Sequence, residues 1–288
     1  MRLALGTVQF GLAYGVANQR GQVGFLEAQR IIELARSNGV DTLDTAIAYG
    51  ESESTLGKLD LRGFNLITKL PALPHECKDT AGWVESQLAG ALERLNVPRV
   101  HGLMLHRPGQ LLEKEGQTLY RALEAMKNQG LVECIGLSIY DPLELNQLLF
   151  EMSFDLVQAP FNLLDRRLID TGWLERLQAS GTRLHVRSVF MQGLLLMAAS
   201  ERPPKFSRWN SLWISFDRWL EDENLTPLQA CLRYAQSFDE IDRLVVGVES
   251  AEQLREIIEE SFGGALVLPE NIHTSDVDLL DPSRWASL

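Results

Sequence analysis

The sequence predicts an α/β protein built as a single (β/α)8 barrel of the TIM type. Short apolar runs alternate with amphipathic helical stretches along the chain, eight of the runs are strand-like, and 288 residues is a length at which such barrels close. Alternation of this kind implies parallel pairing through helical crossovers. An open doubly wound sheet shares the rhythm. Its dinucleotide fingerprint is missing, however, because the first strand–helix junction reads Gly6-Thr7-Val8-Gln9-Phe10-Gly11 and not G-x-G-x-x-G.

Strands are expected at 3–5, 42–45, 66–69, 102–106, 134–138, 156–158, 184–188 and 244–246. The helices between them announce themselves by spacing and punctuation. Phe25, Ala28, Ile31, Ile32 and Ala35 recur at helical intervals before Gly39. Val84, Leu88, Ala91, Leu92 and Leu95 do so before Pro98, and Leu119, Ala122, Leu123 and Met126 before Gly130. Thr226-Pro227 reads as an N-cap followed by the first helical residue, and Ser250 to Gln253 as a capping box. No composition break divides residues 1–288, so one barrel domain is expected. A long loop, about 196–224, should lie over the C-terminal face.

Composition narrows the function. A net charge of −12 without a basic stripe argues against nucleic-acid binding and against an anionic membrane surface. The apolar opening run is broken by Gly6, Thr7, Gln9 and Gly11 before it resembles a signal peptide, and no run approaches the ~20 apolar residues of a membrane helix. Cys77, Cys134 and Cys231 are odd in number and widely spaced. They suggest reduced thiols in a cytoplasmic protein and no metal site. The sequence carries no signature of oligomeric state.

Catalytic groups of α/β barrels come from the C-terminal ends of strands. Here those ends carry Asp44, followed shortly by Tyr49, then Lys69, then His106, each polar after apolar strand positions. A free tyrosine has a pKa near ~10, and a nearby lysine ammonium favours its phenolate. An aspartate holds the lysine charged and in place, and an imidazole can bond a carbonyl oxygen. Together these four suit protonation of an oxygen whose carbon receives a hydride. The competing reading, an Asp44–Lys69 pair that only locks two strands, leaves Tyr49 and His106 without a purpose.

These residues lie in a pattern that resembles the aldo-keto reductase family. Asp44-Thr45-Ala46 through Tyr49-Gly50-Glu51-Ser52-Glu53 is similar to that family's D-T-A-x-x-Y-G-x-S-E signature. The likeness continues through Lys69, Leu103 to Pro108, Gly130 to Ser138, Leu156 to Asn162, Arg187-Ser188, Gln192 to Leu195 and Asp281 to Trp285. The resemblance implies reduction of a small aldehyde or ketone to an alcohol with NADPH, NADH being possible, Tyr49 as general acid and no metal. It implies Ser138 and Gln158 on the nicotinamide carboxamide and Thr7 near the nicotinamide ribose. Ser188 to Gln192 would lie on the pyrophosphate, and Gly247, Ser250 and Gln253 on the adenosine phosphate. A regulatory barrel that senses nicotinamide redox state with little turnover is the alternative.

Some positions depart from the family pattern. Ile139 follows Ser138 where asparagine is usual. Gln253 and Ile257 replace an arginine and an asparagine, and Glu249 adds a negative charge beside them. Arg187 replaces an aromatic, and is expected to serve the cofactor by stacking or by forked bonding to phosphate, an anionic substrate being the alternative. His101, at a strand start, is expected to be structural, and His185 to point away from the mouth. Trp209 and Trp213 are expected either to line the substrate pocket or to pack the long loop.

Overall fold

A computed structural model describes residues 2–264, 266 and 268–288. Eight parallel strands close into a barrel in sequence order. They are β1 (Leu3–Gly6), β2 (Thr42–Asp44), β3 (Asn65–Leu70), β4 (Val100–Leu105), β5 (Val132–Ser138), β6 (Leu156–Pro160), β7 (Arg183–Arg187) and β8 (Arg243–Gly247). Closure is made by β1 against β8, with Leu3 opposite Leu244 and Gly6 opposite Gly247.

The helices are α1 (Phe25–Ser37), α2 (Ser52–Leu56), α3 (Thr80–Leu95), α4 (Gly116–Asn128), α5 (Leu145–Glu151), α6 (Arg167–Asp170), α7 (Trp173–Ser180), α8 (Asn210–Asp222), α9 (Pro227–Gln236), α10 (Ala251–Glu260) and α11 (Val277–Leu280). Their ends are chemically defined. Asp79 accepts from Gly82 N to start α3, and Asn96 ends it in the left-handed region at φ 54°. Thr226 and Gln229 form a reciprocal capping box on α9, with Pro227 in its first turn. On α10 the Ser250 hydroxyl accepts from Gln253 N, but the Gln253 side chain reaches Glu249 N instead of completing the box.

The main core is the layer between barrel and helices. A second, small cluster of Ile67, Met104 and Leu156 fills the barrel interior. These residues lie two positions before Lys69, His106 and Gln158 on their strands, so they form the floor beneath those side chains. The connection after β7, expected as a loop, contains the thirteen-residue helix α8. Trp213, Phe216, Trp219 and Leu220 face inward along it, and Arg202 pairs with Asp217 at 2.5 Å to hold its base. Trp209 and Trp213 are buried in this packing. Their indole N–H groups donate to Asp276 Oδ2 and to Phe206 O, each at 3.0 Å, and neither residue lines the cleft described below.

Two histidines mark the lower barrel. His101 sits between Glu133, 3.0 Å from Nδ1, and Arg183, 2.9 Å from Nε2, a structural position. His185 differs from the sequence expectation. It shares the inner side of β7 with Arg187, is buried, and has no partner for Nδ1 among the described residues. Burial first, then the charges of Arg243, Arg183, His101 and Lys69, push its pKa down to about 3. Among the described residues no helix is long and apolar enough to cross a membrane.

Candidate active site

A cleft of about 620 Å³ opens at the C-terminal end of the barrel, within the usual range for a small-molecule site. Every strand delivers a residue to that end. Thr7 follows β1, Asp44 ends β2, Lys69 lies on β3, His106 follows β4, and Ser138 ends β5. Gln158 lies on β6, Arg187 ends β7 and Gly247 ends β8.

Lys69 is fully buried and donates to Asp44 Oδ1 at 2.6 Å and to Thr45 O at 2.9 Å. Burial lowers its pKa, and Asp44 works against that shift. A buried ammonium persists only with such a partner and further hydrogen bonds to its donors. Its Nζ stands 5.2 Å from the centre of the Tyr49 ring. The Tyr49 and His106 rings meet edge to face at 5.7 Å. The four residues read from the sequence are therefore brought together at one point.

The two titrating rings are both held neutral. Burial raises the Tyr49 pKa, Asp44 raises it further, and Arg187 pulls it down. The sequence reading has Lys69 favouring the phenolate; in the resting site desolvation sets the direction of the shift, which is upward. Burial, then Lys69, Arg187 and Arg107, push His106 down to about 3.

Tyr49 is placed by backbone contact. Gly11, at the end of a short 3-10 turn Val8–Phe10, lies so close that an added Cβ would stand 1.8 Å from Tyr49 O and 2.5 Å from Ser52 N. Gly50 takes the left-handed region at φ 54°, which turns the chain into α2. The signature residues after it are structural anchors. Buried Ser52 donates to Thr7 O at 2.8 Å and bonds Thr45 Oγ1 at 3.1 Å. Buried Glu53 accepts from Thr68 at 2.6 Å and from Arg94 Nε at 2.8 Å.

The remaining sequence-selected residues divide. Gln158 Nε2 donates to Asp44 Oδ2 at 2.8 Å, which joins it to the ion pair, and Ser138 Oγ approaches Gln158 Oε1 at 3.5 Å. Thr7 lies beside them, its hydroxyl donating to Asp44 O at 3.0 Å. Ser188, Gln192, Gly247 and Gln253 line the same cleft. Ser250 is not among the lining residues and serves α10 as its cap.

Side chains that the sequence did not single out also reach the cleft. Tyr14 and Tyr140 come from exposed loops, and the Tyr14 hydroxyl accepts from Gln192 Nε2 at 3.1 Å. Gln9, Glu201 and Glu256 line the wall. Loop tyrosines and surface glutamates have no periodic pattern, so only the closed barrel brings them into view.

Gln9 Oε1 is buried without a hydrogen-bond donor. Ser188, Met191, Gln192 and Gly193 have φ between 46° and 88°, so the loop after β7 turns sharply along the cleft, with Met191 N and Gly193 N donating to Ser188 O and Phe190 O. A Cβ on Gly247 would run into the Gln9 amide at 2.7 Å.

A model of the aldo/keto reductase family matches residues 2–263. The chain is 23% identical over 253 residues to the uncharacterized oxidoreductase YqkF of Bacillus subtilis, with 81% of each chain covered. It is 25% identical over 290 residues to the L-glyceraldehyde 3-phosphate reductase of Escherichia coli, covering 86% of this chain and 83% of that one. In structure it is similar to the holo form of aldo-keto reductase AKR11C1 from Bacillus halodurans. The TM-score is 0.73 at 18% identity, with 92% of this chain and 88% of that chain covered.

Proposed function

The chain belongs to the aldo/keto reductase family of NAD(P)H-dependent, carbonyl-reducing oxidoreductases, and we propose that Tyr49 is the acid of that reaction, with Lys69, Asp44 and His106 around it. The observation that carries this reading is the buried Lys69–Asp44 pair, 2.6 Å long, set directly behind the Tyr49 ring. When bound, a reduced nicotinamide supplies a hydride to the carbonyl carbon. Tyr49 Oη gives its proton to the carbonyl oxygen, so an alcohol and oxidised dinucleotide result. Burial keeps that phenol protonated until substrate arrives. The Lys69 ammonium then stabilises the phenolate, and Asp44 keeps the ammonium oriented. His106, a neutral imidazole at neutral pH, offers one N–H to the same oxygen and fixes its direction.

Thr7, Ser138 and Gln158 would hold the nicotinamide end, next to the ion pair. Ser188 to Gln192 would hold the pyrophosphate with backbone N–H groups, and Gly247 and Gln253 the adenosine end. Ser250 acts there through the helix it caps.

The family resemblance favours NADPH. The side chains favour NADH, and NADH is the reading we adopt. Glu201, Glu249 and Glu256 line the cleft, and Arg187, beside Tyr49, is its one lysine or arginine among the described lining residues. The charge of Arg20, which is outside that lining, acts on Glu249 and offsets part of its charge. Ribose hydroxyls suit carboxylates, whereas a 2′-phosphate is repelled.

The test is turnover of a panel of aldehydes and ketones with each reduced nicotinamide. Measurable reduction supports the assignment. Tight dinucleotide binding with no reduction of any carbonyl would move the protein to a sensing role.

A further inference from the structure

Arg187 stands where the reaction itself would place opposing demands on a cation. Its Nη2 donates to Ile139 O at 3.0 Å, its Nη1 to Ser188 Oγ at 3.3 Å, and its guanidinium lies 4.5 Å from the centre of the Tyr140 ring. Among the described residues no carboxylate pairs with it. Two of five N–H donors are thus engaged by neutral oxygens, and the rest of the fork is unused. The charge is felt at Tyr49, His106 and Lys69, the three groups at the chemical end of the cleft.

The direction of the side chain separates the tasks open to it. From the end of β7 it crosses over β6 to the residues after β5, away from β8 and α10, toward which the cleft extends. Toward the Ser188 to Gln192 segment it offers only its Nη1, which already donates to Ser188 Oγ, while Nη2 is turned to Ile139 O. Stacking beneath a nicotinamide is also a poor use of a guanidinium. The ring becomes cationic as hydride leaves it, and a second cation against its face opposes that step. One guanidinium face, moreover, is already covered by Tyr140. A negative group on the substrate meets none of these objections. It also needs a local cation, because the protein as a whole carries −12 and repels anions.

We propose that Arg187 is the specificity residue for substrates that carry a carboxylate near the reacting carbonyl, binding it through the unused edge of its fork with Tyr140 as the platform beneath. The carboxylate stays unchanged through the reaction. Reduction converts an aldehyde or keto acid anion to the corresponding hydroxy acid anion, with the hydride and proton supplied as above. The assignment rests on the carbonyl-reductase reading and refines it.

Two measurements on the full-length protein test it. In the first, the meta and para formylbenzoates are reduced alongside their primary amides, neutral compounds of the same shape. The wild type should favour the better carboxylate over its amide by about 10- to 100-fold in kcat/KM, as expected for bonds to a charged group. Arg187→Met should bring that ratio close to one, and Arg187→Lys, which keeps the charge without the fork, should fall between. A ratio near one in the wild type, or an unchanged ratio in Arg187→Met, overturns the proposal. In the second, benzoate and benzamide are titrated calorimetrically into the protein saturated with oxidised dinucleotide. Benzoate should bind more tightly than benzamide, and the difference should vanish in Arg187→Met. Equal binding of the two probes to the wild type contradicts the assignment. Arg187-dependent benzoate binding without reduction of any aldehyde would sink the reductase reading and leave the anion site standing.

Discussion

Gln158 Nε2 donates to Asp44 Oδ2 at 2.8 Å, so the carboxylate that holds Lys69 through its other oxygen is also tied to β6 on the far side of the barrel. Both Asp44 oxygens are therefore committed before any ligand arrives. The ammonium is aimed by a contact on one strand and a second contact across the lumen. Such a pair costs much to break from one side, because the remaining charge is left buried without a partner.

Asp44→Asn is accordingly expected to destabilise the fold by about 3 kcal/mol in urea unfolding. The double variant Asp44→Asn with Lys69→Met should recover part of that loss, since it removes the orphaned ammonium. A single variant as stable as the wild type would mean that the pair is not buried as described.

Gly11→Ala tests how Tyr49 is positioned. The added methyl meets Tyr49 O at 1.8 Å, and the turn carrying the phenol must shift to admit it. A displacement of about 1 Å at a reacting group costs roughly 100-fold in rate. Gly24→Ala is the control, because a Cβ there meets nothing within 4 Å. Equal kcat/KM for the two variants would remove the backbone contact from the account.

Stability should depend on pH through two histidines. His106 and His185 have folded pKa values of about 3, against 6.5 for the free side chain. The unfolded chain therefore binds protons that the folded one refuses, and stability falls as pH drops below 6.5. Above that pH their contribution to the slope fades as the unfolded imidazoles also lose their protons. Near pH 5.5 each should contribute about 1.2–1.4 kcal/mol per pH unit. His185→Gln should roughly halve the histidine-dependent slope between pH 7 and 5.5. An identical slope in that variant would show that His185 titrates normally in the folded protein.

The dinucleotide preference can be read by titration. NADH is expected to bind at least as tightly as NADPH, and Glu249→Gln to improve NADPH binding by roughly two- to fivefold, the scale of one solvent-facing charge. NADPH binding that is clearly tighter in the wild type would assign the far end of the cleft to a 2′-phosphate.

The parts of this design that the sequence displayed are those with a period or a fixed neighbour. Leu43 before Asp44, Ile67 before Thr68-Lys69, and Leu105 before His106 mark strand ends, so barrel and tetrad were legible together. His185 was misjudged because a strand of a closed barrel is buried on both sides, so apolar neighbours do not tell lumen from helix layer. Trp209 and Trp213 looked equally suited to cleft or core. Only the partners Asp276 and Phe206 place them in the packing of α8, a helix hidden by the Pro- and Ser-rich stretch before it. Tyr14, Tyr140 and Glu256 come from two loops and a helix face whose convergence depends on closure, which no local pattern encodes.

The most direct test of the central claim is Tyr49→Phe, assayed by single-turnover reduction and by dinucleotide titration on the same preparation. Removing one hydroxyl while keeping the ring that packs on His106 should leave the dinucleotide dissociation constant close to that of the wild type. The reduction rate should fall by about 10²–10⁴-fold, the contribution of a positioned acid. Near-normal turnover by the Phe variant on the best wild-type substrate would contradict the assignment of Tyr49 as the proton donor.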